Sequence, residues 1–353
     1  MQKTRNVYID IVKAVAIILV VFGHCIQYGS GSEFLSSTAF FENKVFIFIY
    51  SFHMPLFMLV SGYLFAYSLK DINSTDGLKR TIIKKVKQLI IPLFSWSFVS
   101  LALAIAKLVI NGNTATVSII WLLKTLVSGF INGPWFLWAI WWCSLTVIVV
   151  RYFFKDSPYI YLAGLILTFI IPDAFGLAKY KFMYLYFVSS YFFNAYDFEA
   201  KLKKIYLNKF FIAGVIVAFI VMLRFYNHDT YIYTTGYTLL GKDVFSQLWN
   251  DCFRFIIGIF GGISVMYVVW GIYKLAKGKY PTFLFYIGKN TLGVYLISGI
   301  LIYEGLARIT AGVPKINYLL TFGESIVIMV VSLAINWILR RNKTLNTLFL
   351  GGR

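Results

Sequence analysis

The chain has 353 residues, of which 59% are hydrophobic, 19% aromatic and only 13% charged, with a net charge of +19 and a mean hydropathy of +0.76. Soluble domains run nearer 45–50% apolar and about a quarter charged, so this composition excludes an ordinary soluble fold and points to an integral membrane protein. The basic excess does not call for nucleic acid, because cytoplasmic loops collect Lys and Arg and anionic lipid attracts them.

A spanning helix needs about 20 apolar residues to cross about 30 Å of hydrocarbon. Runs of this kind lie at 7–28, 45–68, 89–111, 134–151, 158–175, 180–196, 209–226, 253–276, 283–303 and 318–339. The fifth and sixth are short, and 118–130 is shorter still and suits the membrane interface. Barrel strands would alternate in polarity over about 10 residues, and these runs do not. The expectation is therefore an all-α polytopic protein of about ten transmembrane helices in a single membrane domain, 1–353, with no appended soluble domain. With the N-terminus in the cytoplasm, Lys3 and Arg5 and the basic segments 70–87, 151–155, 201–209, 274–279 and 340–353 all fall inside. Inside positive charges then outnumber outside ones by roughly two to one, which predicts both termini in the cytoplasm. The basic leader at Lys3 and Arg5 resembles a signal peptide but lacks a small-residue cleavage site, so it reads as a retained first span.

The cysteines, Cys25, Cys143 and Cys252, are odd in number and scattered. They support neither a disulfide framework nor a metal cluster, and they suit membrane packing. No internal repeat of the kind found in many transporters is present. The longest polar outer segment, 227–252, reads as a solvated loop or as a carbohydrate-facing lid.

The first run, DIVKAVAIILVVFGHC at 10–25, carries Asp10, Lys13 and His24. Asp10 and Lys13 are helix neighbours. Lys13 and His24 differ by eleven residues, which on an α-helix puts them about 20° apart around the axis and about 16 Å apart along it. One face of this helix is therefore polar at two depths. Ionisable groups so deep cost at least about 2.5–3.5 kcal/mol each and usually mark a pathway or site. Lys13 could instead snorkel beside Asp10, and His24 could be a neutral interhelical donor.

The second run, YSFHMPLFMLVSGYLFAY at 50–67, places His53 at a depth like that of His24. Pro55 leaves a carbonyl near residue 51 without its helical donor. Ser61, Gly62 and Tyr63 form a small-residue and hydroxyl notch that suits close helix packing. A basic turn follows, with Lys79, Arg80, Lys84, Lys85 and Lys87. It obeys the positive-inside bias and could also meet a polyanionic cofactor. No P-loop or GxGxxG motif is present, which argues against a soluble-type nucleotide fold.

Taken together, YIDIVKAVAIILVVFGH, FHMPLFMLVSGYLF, the basic turn with IIPLFSW, GPWFLWAI at 133–140 and GKNTLGVYLI at 288–297 occur in an order that resembles the acyltransferase-3 family of integral membrane O-acyltransferases, in flavour its fucose 4-O-acetylase-like branch. The resemblance covers essentially the whole chain. It implies a multi-pass enzyme of the cytoplasmic membrane that moves an acyl group, usually acetyl, from cytoplasmic acyl-CoA to a sugar hydroxyl of a lipid-linked or surface glycan, as in exopolysaccharide biosynthesis. The implied partners are acyl-CoA, the glycan, membrane lipid and glycan-assembly proteins, with no metal and no nucleic acid. The family's first helix carries Arg, ten residues, then His; here Lys13 stands at the Arg position and His24 at the His. Lys84 and Lys87 stand nearest the family's basic pair. Lysine keeps the charge but loses the bidentate fork. Ser298 stands where a histidine often ends the ninth-span motif.

Acyl transfer to a hydroxyl needs a base and donors for the oxyanion, and histidine titrates in the right range. These requirements make His24 the expected general base, with His53 assisting or orienting, and Glu324 as a carboxylate that could orient a histidine; Glu304 is a second such carboxylate. Lys13, Lys84, Lys87, Lys289 and Asn290 are the expected CoA contacts. Ser61, Tyr63, Trp135 and Arg254 are weaker substrate-binding candidates. No GxSxG elbow marks a nucleophile. The competing reading is a non-enzymatic transporter or flippase for a polysaccharide or its lipid-linked precursor, and an accessory protein that only binds glycan is a third.

Overall fold

The structure is a computed structural model, and it describes residues 6–29, 39–69, 72–112, 117–277, 279–306 and 317–352. Lys3 and Arg5 lie outside the described residues. The described residues are helices joined by turns, with no strand among them. The helices of eight or more residues are α1 (Val7–Tyr28), α2 (Lys44–Ala66), α3 (Thr75–Lys85), α4 (Ile91–Ile110), α5 (Ile119–Ile131), α6 (Trp135–Phe154), α7 (Pro158–Ile170), α8 (Leu177–Ala195), α9 (Lys209–Leu223), α10 (Val244–Leu275), α11 (Thr282–Lys289), α12 (Thr291–Ile300), α13 (Tyr318–Arg341) and α14 (Lys343–Leu350).

Among the described residues, six stretches are long and apolar enough to cross a membrane: Val7–Tyr28, Lys44–Leu69, Thr75–Ile110, Trp135–Phe154, Val244–Leu275 and Tyr318–Arg341. A seventh is reached if Thr282–Lys289 and Thr291–Leu306, bent by 74° at Asn290, form one broken span. The protein is thus a multi-pass, all-α membrane protein. Ile119–Ile131, Pro158–Ile170 and Lys209–Leu223 are apolar but shorter. The first of these buries no residue, as befits a helix expected at the interface.

Asparagine begins many of these helices. Asn43, Asn208, Asn317 and Asn342 each accept bonds from two of the first free backbone N–H groups of α2, α9, α13 and α14. A cap satisfies donors that have no intrahelical partner, which is costly to leave undone near hydrocarbon. Asp243 caps α10, so that helix starts nine residues earlier than the apolar run beginning at 253. The expected long outer loop is correspondingly shorter and begins with structured turns at His228–Thr230 and Ile232–Thr235.

The bundle has a first end, where α1 begins and α2 finishes, and a second end, where α1 finishes and α2 begins. α2 packs most extensively on α8 and α10, and α1 packs on α11, α2 and α13. Two close approaches set this geometry. A Cβ at Gly62 would collide with the Phe187 carbonyl of α8, and one at Gly288 would collide with the Asp10 backbone of α1. Small residues let helices approach closely where no hydrophobic effect drives them together.

At the first end Asp156, buried, accepts from Tyr161 (2.8 Å), Tyr191 (2.7 Å) and Arg151 (3.3 Å), tying the turn between α6 and α7 to α8. At the second end Asp173 pairs with Lys181 (2.6 Å) and accepts from the Tyr237 and Thr238 amides at 2.8 and 3.0 Å. Burial alone would raise the Asp173 pKa, but Lys181 and the two amides outweigh it and hold it below the usual carboxylate value.

Candidate active site

The polar stripe on α1 is real at both depths. At the first end Lys13 Nζ lies 2.7 Å from Asp10, which is only 3% exposed. The Gly288 turn of α11 presses on Asp10, so the break at Asn290 sits beside this ion pair. Asn290 is buried and bridges two elements: its amide donates to the Tyr286 carbonyl (2.7 Å), and its oxygen accepts from Asn336 of α13 (2.7 Å). Asn336 Oδ1 is itself buried without a hydrogen-bond partner among the described residues. A broken helix at membrane depth is tolerated only where protein buries it or a polar cavity meets it.

Eleven residues further along α1, His24 lies between two tyrosine rings, Tyr303 at 5.9 Å and Tyr50 at 6.4 Å. His53 packs edge-on to Tyr50 at 4.6 Å. Both histidines therefore pack against one aromatic ring. His53 Nδ1 is 2.8 Å from the Ile49 carbonyl. A carbonyl can only accept, so Nδ1 carries the proton and Nε2 is left as a lone-pair acceptor. No hydrogen bond to the His24 ring is present among the described residues. Tyr50 is fixed in turn by stacking on Phe46 (3.7 Å) and by donating to Gln27 (3.0 Å).

His53 borders a cavity of about 40 Å³, room for a few water molecules. Its other walls include Trp135 at the start of α6, Lys179 at the start of α8, Tyr233 and Arg254. The sequence had set Trp135 and Arg254 with the substrate, and both line this cavity. Arg254, 3% exposed, is nevertheless fully engaged. It donates to the carbonyls of Asp229 (2.9 Å), Thr230 (2.6 Å), Tyr231 (3.1 Å) and Gly236 (2.8 Å), to Asp251 (2.5 Å) and to the Thr235 hydroxyl. With all five N–H groups committed, Arg254 clamps the 229–236 turns over the cavity.

Other expected site residues lie elsewhere. Tyr63 is at the first end, donating to Glu199 at 2.6 Å on the rim of a larger, apolar cavity of about 460 Å³ between α1, α2, α8 and α10. Ser61 is half-buried beside the Gly62 packing contact and does not reach the histidines. Glu324 sits against Gly29 and Cys25, about one turn of α1 beyond His24, with one oxygen buried and unbonded, and it makes no hydrogen bond to either histidine among the described residues. Glu304 pairs with Lys107 instead. Lys84, Lys87 and Lys289 are exposed, and the Lys289 ammonium caps the Phe285 ring at 4.0 Å. Cys25 and Cys143 are buried, whereas Cys252 is on the outer surface of α10. The residues beside the histidines and their cavity that sequence reasoning did not single out are Tyr50, Tyr303 and Lys179. Aromatic residues are so abundant here that two tyrosines carried no signal, and a lysine at a helix start resembled a topology charge.

Residues 6–341 match the acyltransferase-3 family, described as an acyltransferase domain. The chain belongs to this family. It is a membrane O-acyltransferase. The chain is also similar to the nodulation protein NolL of Mesorhizobium japonicum, 25% identical over 300 residues that cover 84% of this chain and 76% of that protein. A second similar protein is NolL of Sinorhizobium fredii, 30% identical over 169 residues, which cover 48% of this chain and 43% of that protein. No solved structure matches the chain. Family membership sets aside the transporter and accessory readings as the protein's primary activity.

Proposed function

We propose that this acyltransferase takes an acyl group, acetyl by preference, from cytoplasmic acyl-CoA and places it on a sugar hydroxyl of a lipid-linked or cell-surface glycan. The reading assigns both termini to the cytoplasm of the cell membrane and counts about ten passes, including the shorter apolar helices. The observation that carries it is the convergence of His24 and His53 on Tyr50 at one end of α1, with a buried ion pair and a broken helix at the other.

In this reading the first end receives the donor. Lys13, Lys289 and the basic turn with Lys84 and Lys87 offer point charges to CoA phosphates, and Asn290 with the free amides that begin α12 adds neutral donors. The second end performs the chemistry. His24 takes the proton of the acceptor hydroxyl as its oxygen attacks the thioester carbonyl. The tetrahedral intermediate then collapses, the C–S bond breaks, and His24 returns the proton to the CoA sulfur. The products are the ester and free CoA. The fixed Nε2 lone pair of His53 accepts a hydrogen bond from the acceptor and so selects which hydroxyl faces His24. The aromatic surround excludes water, which would otherwise intercept the acyl group.

The test is acetyl-CoA consumption by membranes holding the acceptor glycan, comparing wild type with His24→Gln and His53→Gln at equal membrane levels. CoA release matched by ester on the glycan supports the reading. Glycan that gains no ester while the protein is present and folded overturns it.

A further inference from the structure

Lys179 is the one cation on the wall of the His53 cavity that has no anionic partner among the described residues. Of the other basic groups there, Arg254 is paired with Asp251, and the His53 ring is bonded to a carbonyl. Nearby Lys181 is paired with Asp173. Lys179 is half-buried, and its ammonium lies 5.6 Å from the Trp135 ring centre and 5.7 Å from that of Tyr233. Two aromatic faces support a cation by their quadrupoles, but they leave its hydrogen-bond donors unused. A half-buried ammonium held this way keeps a positive potential at the mouth of the cavity. The two rings also offer flat apolar surface of the kind that packs on the C–H faces of a sugar.

We infer that Lys179, Trp135 and Tyr233 form an acceptor subsite for a negatively charged sugar, with the carboxylate or phosphate of the glycan on Lys179 and the sugar ring against the aromatic pair. This deepens the proposed function by naming the acceptor class, and it rests on that reading for placing the acceptor at the second end. The subsite binds the residue that bears or adjoins the reacting hydroxyl. The cavity itself, with room for little more than a hydroxyl and an acyl group, is lined by His53 and by Tyr50, the ring that His24 also packs against. Arg254 contributes no donor to the anion, because its own are spent on the 229–236 turns. Specificity for charge therefore falls on Lys179.

The test is direct binding to the full chain in nanodiscs of uncharged phosphatidylcholine, which removes anionic lipid as a competitor. Three probes are compared: an oligosaccharide containing glucuronate, its carboxyl-reduced counterpart, and that reduced form bearing a phosphate monoester. Wild type is expected to bind at least one charged probe about tenfold more tightly than the neutral one, and the favoured probe identifies carboxylate or phosphate as the anion. The preference shrinks as salt is raised. Lys179→Gln is expected to erase the preference, and Lys179→Arg to retain most of it. Equal binding of charged and neutral probes by wild type, no binding of any probe, or an undiminished preference in Lys179→Gln overturns the subsite. Acetyl-CoA consumption with the host glycan is scored separately, so loss of the charge preference and failure of acyl transfer remain distinct results.

Discussion

The two ends of α1 solve different problems with the same helix. At the first end the ionisable groups are neutralised by each other, Lys13 on Asp10 at 2.7 Å, and by a polar corner where Asn290 meets Asn336. At the second end His24 and His53 meet no carboxylate among the described residues; tyrosine rings surround them instead. In the proposed reading this contrast separates binding a polyanion from moving a proton. A phosphate-rich donor is met by fixed charge, which must be paired while the site is empty. A general base needs a lone pair free of competing partners, and a dry aromatic setting provides that.

Substitution at the two ends should separate these roles. His24→Gln is expected to lower the rate of acyl transfer by about 10²–10⁴-fold, with acyl-CoA binding unchanged. Lys13→Gln should do the reverse, raising the KM for acyl-CoA by about tenfold, the worth of one charge-assisted contact, with little change in kcat. Titrations of acyl-CoA against both variants check this, and a loss of donor binding in His24→Gln would merge the two ends into one site.

The clamp over the second end should be the most sensitive to unfolding. Arg254→Met leaves Asp251 buried without its partner, which costs about 3–5 kcal/mol, and frees the 229–236 turns. The expected result is a large fall in Tm and early proteolysis within 228–243. The corner at the first end is milder. Asn290→Ala leaves Asn336 with a buried unpaired amide, a loss of about 1–3 kcal/mol, read as a smaller fall in Tm.

The smallest effect concerns pH. The Asp173 carboxyl is held below its ordinary value of 3.8, so its contribution to stability is complete above that pH and is lost as the pH falls through the lowered folded value. Wild type should therefore exceed Asp173→Asn in Tm by a small margin at neutral pH, and the margin should close in acid below 3.8. A margin that grows in acid would contradict the sign.

Much of this was legible in the sequence because membrane helices announce themselves by length and hydropathy. Six of the ten apolar runs are single helices long and apolar enough to cross a membrane, the run 283–303 breaks into two helices at Asn290, and the Asp10–Lys13–His24 stripe follows from helical spacing alone. What the sequence concealed was tertiary. The polar stretch from Val244 to Cys252 looked like loop, yet Asp243 caps it and Gln247, Asp251 and Arg254 bury one polar face against the 229–236 turns. Arg254 looked like a substrate ligand because its carbonyl partners lie up to 25 residues away in a loop with no regular period. Ser61 and Tyr63 follow His53 closely in sequence, but α2 carries them to the opposite end of the bundle. Lys179 acquires meaning only when Trp135 and Tyr233, from two other segments, close around it.

The most direct measurement is transfer from radiolabelled acetyl-CoA to the host glycan in inverted membrane vesicles, with wild type and His24→Gln present at equal levels and donor binding recorded in the same vesicles. Label on the glycan with wild type, none with the variant, and equal donor binding by both is the predicted result. Equal labelling of the glycan by both proteins would contradict His24 as the base and with it the division of labour along α1.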